Sequence, residues 1–395
     1  MLAHLSKTSG TGGSIKSVPE DFIVEEIAQD GTVYQMGRQF TRPDVSGPYT
    51  HFILQKRDWS TSSALAEIAR RLHVSQSGTN SAGIKDKAAI STQLASVRGA
   101  GKEALLSLKI RDISINGAWG ANDRVHIGDL LGNRFSIRVQ GTIANPEERV
   151  KVIAEELDGK FPNYFGEQRF GSTRRNTHLV GQKLLQGNLE EALMMFLCDS
   201  DGEENPQARE ARKELKEKRD YGKALGYFPK HLRLERSLIA QLSVMPGDPA
   251  QALRRLPRNI LLLFIHAFQS HLFNTLLSER ILEGPLELEG GEYFCGETHG
   301  FPDIGKTEGE GWICGKLIGY NTPLNPREKA LLEELGIAKE AFRMESLPEI
   351  ASKGTYRTLL APMKDFNFKR EDTLFRFELP SGSYATVAMR EFMDG

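Results

Sequence analysis

One carboxylate between two ammonium groups marks the loop Gly83-Ile84-Lys85-Asp86-Lys87. A carboxylate whose charge persists near neutrality can act as a nucleophile or a base, and cationic neighbours favour that charged form. Gly83 ahead of it would permit an unusual backbone angle. The same spacing also describes an ordinary charged surface turn, so pattern alone leaves both readings open. Further on, the string Asn163-Tyr164-Phe165-Gly166-Glu167-Gln168-Arg169-Phe170-Gly171 is followed by Arg174 and Arg175. Guanidinium groups take phosphate and aromatic rings take unstacked bases, the combination that grips structured RNA. A tightly packed interdomain loop has the same composition.

Other groups carry weaker signals. Phe135, in Gly132-Asn133-Arg134-Phe135, shares a strand face with Ile137 and Val139 and reads as core. His266, Gln269, Ser270 and Asn274 recur at three- and four-residue steps, a polar seam on a helix that is otherwise buried. They read first as satisfied core groups. The basic residues within 213–236, with Arg254, Arg255 and Arg258, describe an RNA face or a solvated helix face with acid–base pairing. The run 283–310 is strongly acidic.

Several function classes lack their residues. Gly12-Gly13-Ser14-Ile15-Lys16 has no Gly-Lys pair with a following hydroxyl, and no G-x-G-x-x-G follows a strand. This argues against a nucleotide cofactor, and residues 9–13 read as a mobile N-terminus. Cys198, Cys295 and Cys314 form no C-x-x-C pair, and no H-E-x-x-H occurs, so neither a disulfide framework nor a metal site is expected. The apolar stretch 260–277 is interrupted by His266, Gln269, Ser270, His271 and Asn274, so no membrane span of about 20 apolar residues is expected. The first 25 residues lack the apolar run of a signal peptide, which points to the cytoplasm.

Elements must position these groups. The first 140 residues read mainly as strands, at 20–26, 50–56, 89–97 and 133–140. In the last of these Phe135, Ile137 and Val139 alternate with Arg134, Ser136 and Arg138. Ser60, Thr61, Ser62 and Ser63 offer N-caps to a helix carrying Leu65, Ile68, Ala69 and Leu72. The Thr92 hydroxyl and Gln93 amide can shape the loop before them or simply cap a strand, and the cap is the reading favoured here. After Asn145-Pro146 the pattern turns helical to about residue 283. Strands return at 286–295 and 312–320, and 373–390 reads as two strands around Pro380-Ser381-Gly382-Ser383. A lone hairpin is too small to fold by itself. It is therefore expected to complete the N-terminal sheet, with the middle of the chain inserted. The length of 395 residues fits two or three domains.

Six strings occur in order along nearly the whole chain. They are Lys16-x-x-Pro19-Glu20-Asp21-Phe22; Ala82-Gly83-Ile84-Lys85-Asp86-Lys87-x-Ala89-x-x-Thr92-Gln93; Gly132-Asn133-Arg134-Phe135; the Asn163–Gly171 string; Gln269-Ser270-x-x-Phe273-Asn274; and Phe377-x-Leu379-Pro380-x-Gly382-Ser383-Tyr384-Ala385-Thr386. Together they resemble the TruD-type tRNA pseudouridine synthases. The resemblance implies an α+β fold. A pseudouridine-synthase catalytic domain with a bent, antiparallel-rich mixed sheet would span 1–160 and 359–395, with a family-specific α/β domain inserted at 161–358. It also implies an isomerase that turns uridine into pseudouridine in tRNA, usually at uridine 13, without cofactor or metal. Asp86 then matches the catalytic aspartate, Lys16 its basic partner, and Phe135 the aromatic lying against the target base. Asn133 and Lys85 are assigned to substrate binding and assistance, and Arg169, Arg174, Arg175 and Lys87 to RNA binding. No heptad seam argues for a dimer, so a monomer is expected.

The chemistry fits those residue types. The C1′–N1 bond breaks, the uracil turns while held, and a C1′–C5 bond forms. A carboxylate serves this as nucleophile, as stabiliser or as base. No water needs activating, so the reaction asks for no metal or redox group. Flipping the base out costs a few kcal/mol, part of which stacking on Phe135 would offset. A non-catalytic RNA-binding protein on the same scaffold is the rival reading. A zinc deaminase would need H-x-E and P-C-x-x-C, which are absent. With 51 Lys+Arg against 52 Asp+Glu and a net charge of −1, a uniformly cationic coat is excluded. An RNA enzyme with that balance should segregate its charge. Residues 169–175 with Lys16, Lys85 and Lys87 are expected to line a positive cleft between the domains, with the acid of 283–310 elsewhere.

Overall fold

Strand-forming residues gather in the first 140 positions and again near the C-terminus, and in the computed structural model they meet in one eight-stranded mixed sheet. The structure describes residues 2–171, 173–307 and 309–394. The strands are β1 (Phe22–Ile27), β2 (Tyr49–Arg57), β3 (Thr79–Ser81), β4 (Ile90–Arg98), β5 (Ile113–Ala121), β6 (Gly132–Arg138), β7 (Lys364–Lys369) and β8 (Leu374–Pro380). Their order is β7-β8-β6-β1-β4-β2-β5, with β3 also on β4. β1 and β4 pair in parallel, and the other pairings are antiparallel. Helix α1 (Thr61–Arg71), capped by the Ser60 hydroxyl, packs Ala64, Leu65 and Ile68 on Phe52, Leu54, Ala95 and Val97. Tyr34, Ile53 and Trp119 cluster separately.

The chain divides into two compact units. His4–Asn163, Glu297–Asp303 and Leu360–Gly395 form the unit that holds the large sheet; Met1–Ala3, Tyr164–Gly296 and Ile304–Leu359 form the other. Where the chain leaves the sheet unit and where it returns, Lys160–Pro162 and Leu360–Pro362 pair antiparallel, so the inserted segment's two ends are tied together. The second unit packs around α2 (Arg258–Glu283), whose Phe264, Ile265, Phe268 and Leu272 meet Val180, Leu184, Leu197 and Leu238. By length and composition alone α2 is apolar enough to cross a bilayer, despite its polar interruptions. Here most of it is buried inside the unit, with Gln269, Ser270 and Asn274 among the buried residues. The acid of 283–310 is partly neutralised in place. Arg327 pairs with Glu283 at 2.6 Å and Arg280 with Glu292 at 2.6 Å.

Three expectations fail on local physics. Residues 373–390 contain one strand and one helix. Ala385–Met393 is α3, burying Ala385, Ala388, Met389 and Phe392 at three- and four-residue steps. Adjacent β-branched Thr386 and Val387 give it a strand-like look, which the buried helical stripe overrides. The hairpin that closes the sheet is β7–β8, and β8 lies along β6 with Phe377 opposite Phe135. Residues 286–292 are not strand; the strand there runs Tyr293–Thr298. The glycine-rich start is not a mobile tail either. The N–H groups of Gly10, Thr11 and Gly12 donate to the carbonyls of Asp394, Phe392 and Met393 at 2.8, 2.7 and 3.0 Å. They satisfy carbonyls that the end of α3 leaves open. A Cβ on Gly10 would stand 2.2 Å from the Asp394 carbonyl oxygen, so only glycine fits.

Candidate active site

The loop between β3 and β4 is tied down atom by atom. The Gly83 carbonyl accepts from the Ser81 hydroxyl at 3.1 Å and the Gln93 amide at 2.9 Å. Thr61, at the start of α1, donates its hydroxyl to Gln93 and accepts the Lys85 N–H, both at 3.0 Å. Gln93 therefore shapes the loop rather than capping a strand. Gly83 does not use the left-handed region, so its flexibility is not what the loop draws on. β1 and β3 share one edge of β4, and Glu26 sits where they part. Its carboxylate accepts the Leu94 N–H at 2.9 Å and the Lys85 ammonium at 2.7 Å, with both side chains buried. Breaking such a pair from one side costs about 3–5 kcal/mol. Lys85→Met is thus expected to lower the Tm by several degrees, while Lys87→Met, on an exposed side chain, leaves it unchanged; thermal unfolding of the two variants checks this.

Asp86 closes the loop. Its main-chain carbonyl accepts from the Lys56 ammonium at 2.8 Å. Its carboxylate meets the Lys16 ammonium at 2.5 Å. The Asp86 side chain is 33% exposed, which leaves its second oxygen open to a ligand. Lys16 has a positive φ and reaches the loop because the preceding segment is fixed, with Ser14 bridged to Gln140. Its ammonium also lies 4.3 Å from the centre of the Phe22 ring. Phe22 packs edge-on against Phe135 at 6.0 Å, and Phe135 against Phe377 at 5.7 Å. Phe135 is buried at this end of the sheet.

Lys56 carries no sequence motif of its own, yet it touches the central loop. It is fully buried, and burial pulls its ammonium down to about 8, against the opposing pull of the Asp86 carboxylate. The available signal was positional: Phe52, Leu54 and Lys56 alternate on one inward face of β2. Glu26 was equally silent within an ordinary strand. Two buried polar atoms near this face, Ser91 Oγ and Asn133 Oδ1, lack hydrogen-bond partners. Asn133 stands opposite Glu26 across β1 and β6.

The residues assigned to RNA part company. Lys87 is exposed beside Asp86. Arg169 lies in the second unit, where its Nε–H donates to Ser270 at 3.2 Å and its guanidinium stands 5.7 Å from the Phe165 ring centre. Arg174 turns inward instead, donating to the Phe196 carbonyl at 2.7 Å and lying 3.7 Å from Glu235. Arg175 is exposed and pairs with Glu167 at 2.8 Å. The polar seam of α2 holds this loop: the Asn274 amide brackets Phe165, accepting its N–H at 2.8 Å and donating to its carbonyl at 2.9 Å. Lys213, Lys218, Arg219 and Lys223 of the basic set pair with nearby acids, as a solvated face does. Among the described residues no group of three or more His, Cys, Asp or Glu side chains could hold a metal. A cavity of about 940 Å³ lies in the second unit beside Met194, Met195 and Cys198, and none of the Asp86 loop's residues line it.

A lysine–aspartate pair thus sits on a pinned loop, next to aromatic rings at one end of a mixed sheet. The family model for tRNA pseudouridine synthase D (TruD) matches residues 1–392. The chain belongs to the TruD family. Members of it are tRNA pseudouridine synthases, isomerases that turn uridine into pseudouridine in tRNA, and this chain is an enzyme of that class. Among its relatives are proteins named probable tRNA pseudouridine synthase D from Thermococcus sibiricus and Methanosarcina mazei. The first is 37% identical, covering 99% of this chain and 97% of that protein; the second is 34% identical, covering 99% and 95%. The crystal structure of the TruD protein from M. mazei superposes with a TM-score of 0.77 at 32% identity, over 99% of this chain and 95% of that one. The two-part α+β architecture is therefore that of a TruD protein.

Proposed function

We propose that this chain isomerises uridine 13 of tRNA to pseudouridine, with the Asp86 carboxylate as the reacting group. One observation carries the reading: Asp86 is partly open to solvent while the Gly83 and Asp86 carbonyls, the Lys85 N–H and the Lys85 ammonium of its loop are each bonded. Holding one reactive group in a fixed geometry is where positional catalysis gains most. The carboxylate acts on the ribose as nucleophile at C1′ or as base. Lys16 supplies the counter-charge that orients it. The flipped uracil stacks on Phe135, which lies one ring away from Lys16. Asn133 offers its unpaired carbonyl oxygen to the base edge. Lys85 assists by holding the loop through Glu26, and Arg169, Arg175 and Lys87 meet phosphates, with Arg174 supporting their loop from within.

In this reading 1–160 with 359–395 form the catalytic domain and 161–358 the inserted one. The enzyme works as a cytoplasmic monomer and uses no cofactor, because every atom of the product is already in the substrate. Incubation with unmodified tRNA transcripts, followed by primer extension after carbodiimide treatment, tests the assignment. A single new stop, one nucleotide 3′ of position 13, is expected. A stop at another position would refute the site, and no stop in any tRNA would refute the reaction.

A further inference from the structure

At the far end of β2 and β4 from Asp86 the sheet opens into a second polar hollow of about 290 Å³. Tyr49, Ser75, Ser77, Asn80, Arg98 and Arg124 line it. Tyr49 and Arg98 face each other across β2 and β4, Asn80 lies on β3, and Arg124 follows β5. Both arginines are exposed, and neither has a carboxylate partner among the described residues. No acid is among the lining residues. Elsewhere in the chain Arg174, Arg212, Arg236 and Arg254 are each committed to a carbonyl or a carboxylate. The Ser75 and Ser77 hydroxyls bond to each other at 2.8 Å, which leaves one O–H free for a ligand.

Two guanidinium forks, a hydroxyl and an amide converging without a carboxylate suit a phosphate group. The volume sits at the floor of small-molecule pockets, roughly 300–1,000 Å³, enough for a phosphate with its sugar. We propose that this hollow is a subsite for one phosphate of the RNA backbone, away from the target nucleotide. The inference rests on the reading that the chain acts on tRNA. From Tyr49 to Lys56, which reaches Asp86, β2 spans about 23 Å at about 3.3 Å per residue. The phosphate bound here therefore belongs to a nucleotide several positions from the uridine. From Asn80 the chain runs directly through β3 into the Asp86 loop, so the two sites share one rigid strand pair.

The test is the salt dependence of tRNA binding by the Arg98→Ala/Arg124→Ala variant. One phosphate contact contributes about 0.7–0.9 to the slope of log K against log salt. The variant should lose that much slope and bind tRNA about 10-fold more weakly or worse. Arg98→Lys/Arg124→Lys, which keeps the charge, should recover most of the slope. Unchanged slope and affinity, with Tm showing the variant folded, would overturn the subsite. So would stabilisation of the wild type by inorganic phosphate that both arginines require while tRNA binding does not, since the hollow would then serve a free anion. Pseudouridine is measured in the same samples. A slope that drops as expected in a protein that forms no pseudouridine would leave the subsite standing and remove the enzymatic reading.

Discussion

Asp86→Asn loses at least about 10⁴-fold in turnover and keeps its fold. The size follows from the chemistry: removing a group that reacts directly costs far more than removing one that binds. The intact fold follows from the structure. The Asp86–Lys16 pair is partly exposed on both sides, so it contributes at most about 1 kcal/mol to stability. Asparagine keeps the shape and an acceptor oxygen for Lys16, and the main-chain bond to Lys56 is untouched. Circular dichroism and Tm should match the wild type within about 4 °C. A variant that unfolds would assign Asp86 a structural role. One that turns over normally would remove it from the chemistry.

The second large effect is expected at a residue that does not react. Lys56→Met should lower kcat about 100-fold, because the Asp86 carbonyl loses its anchor and a carboxylate displaced by an ångström works poorly. Stability should tell a different story. Burial, aided by the neighbouring Lys85 charge and opposed by the Asp86 carboxylate, holds the Lys56 ammonium near 8, below its ordinary 10.5. Between those values the unfolded chain binds more protons, so this residue's contribution to stability rises with pH through that window. Below about pH 8 its cost is carried in full. At pH 7 the methionine variant should therefore melt within a few degrees of the wild type. The wild type should then gain on it between pH 8 and 10. A gap that stays flat across that range would show that Lys56 is not buried as an ammonium. Full activity in the variant would show that the loop does not need it.

What the chain reveals before folding is uneven, for physical reasons. The Asp86 loop, the Asn163–Gly171 string and the strands β1, β2, β4, β6 and β8 are local patterns, legible one after another, whereas β3, β5 and β7 carry no such signal. The partners of the loop are not local: Glu26, Lys56, Thr61 and Lys16 come from four separate segments and meet only through the register of β1, β2 and β4. Lys56 and Glu26 look like ordinary strand residues because their importance lies in which face they occupy. Arg174 shows the opposite error. Its composition suggests RNA, but it is committed to the Phe196 and Asp199 carbonyls. The glycine-rich start and α3 deceive together, since the bonds between them join residues far apart in the sequence. The overall charge of −1 reflects local pairing as much as segregation: much of the basic helical set is matched by nearby acid, while Arg98 and Arg124 stay unmatched.

Forming the C1′–C5 bond forces the hydrogen off C5, and no step of simple RNA binding does so. Tritium release from tRNA carrying [5-³H]uridine therefore tests the central claim directly, with wild type and Asp86→Asn side by side. The wild type should release the label of one uridine per tRNA, and the variant essentially none. Release by neither protein, or equal release by both, would contradict an isomerase that works through Asp86.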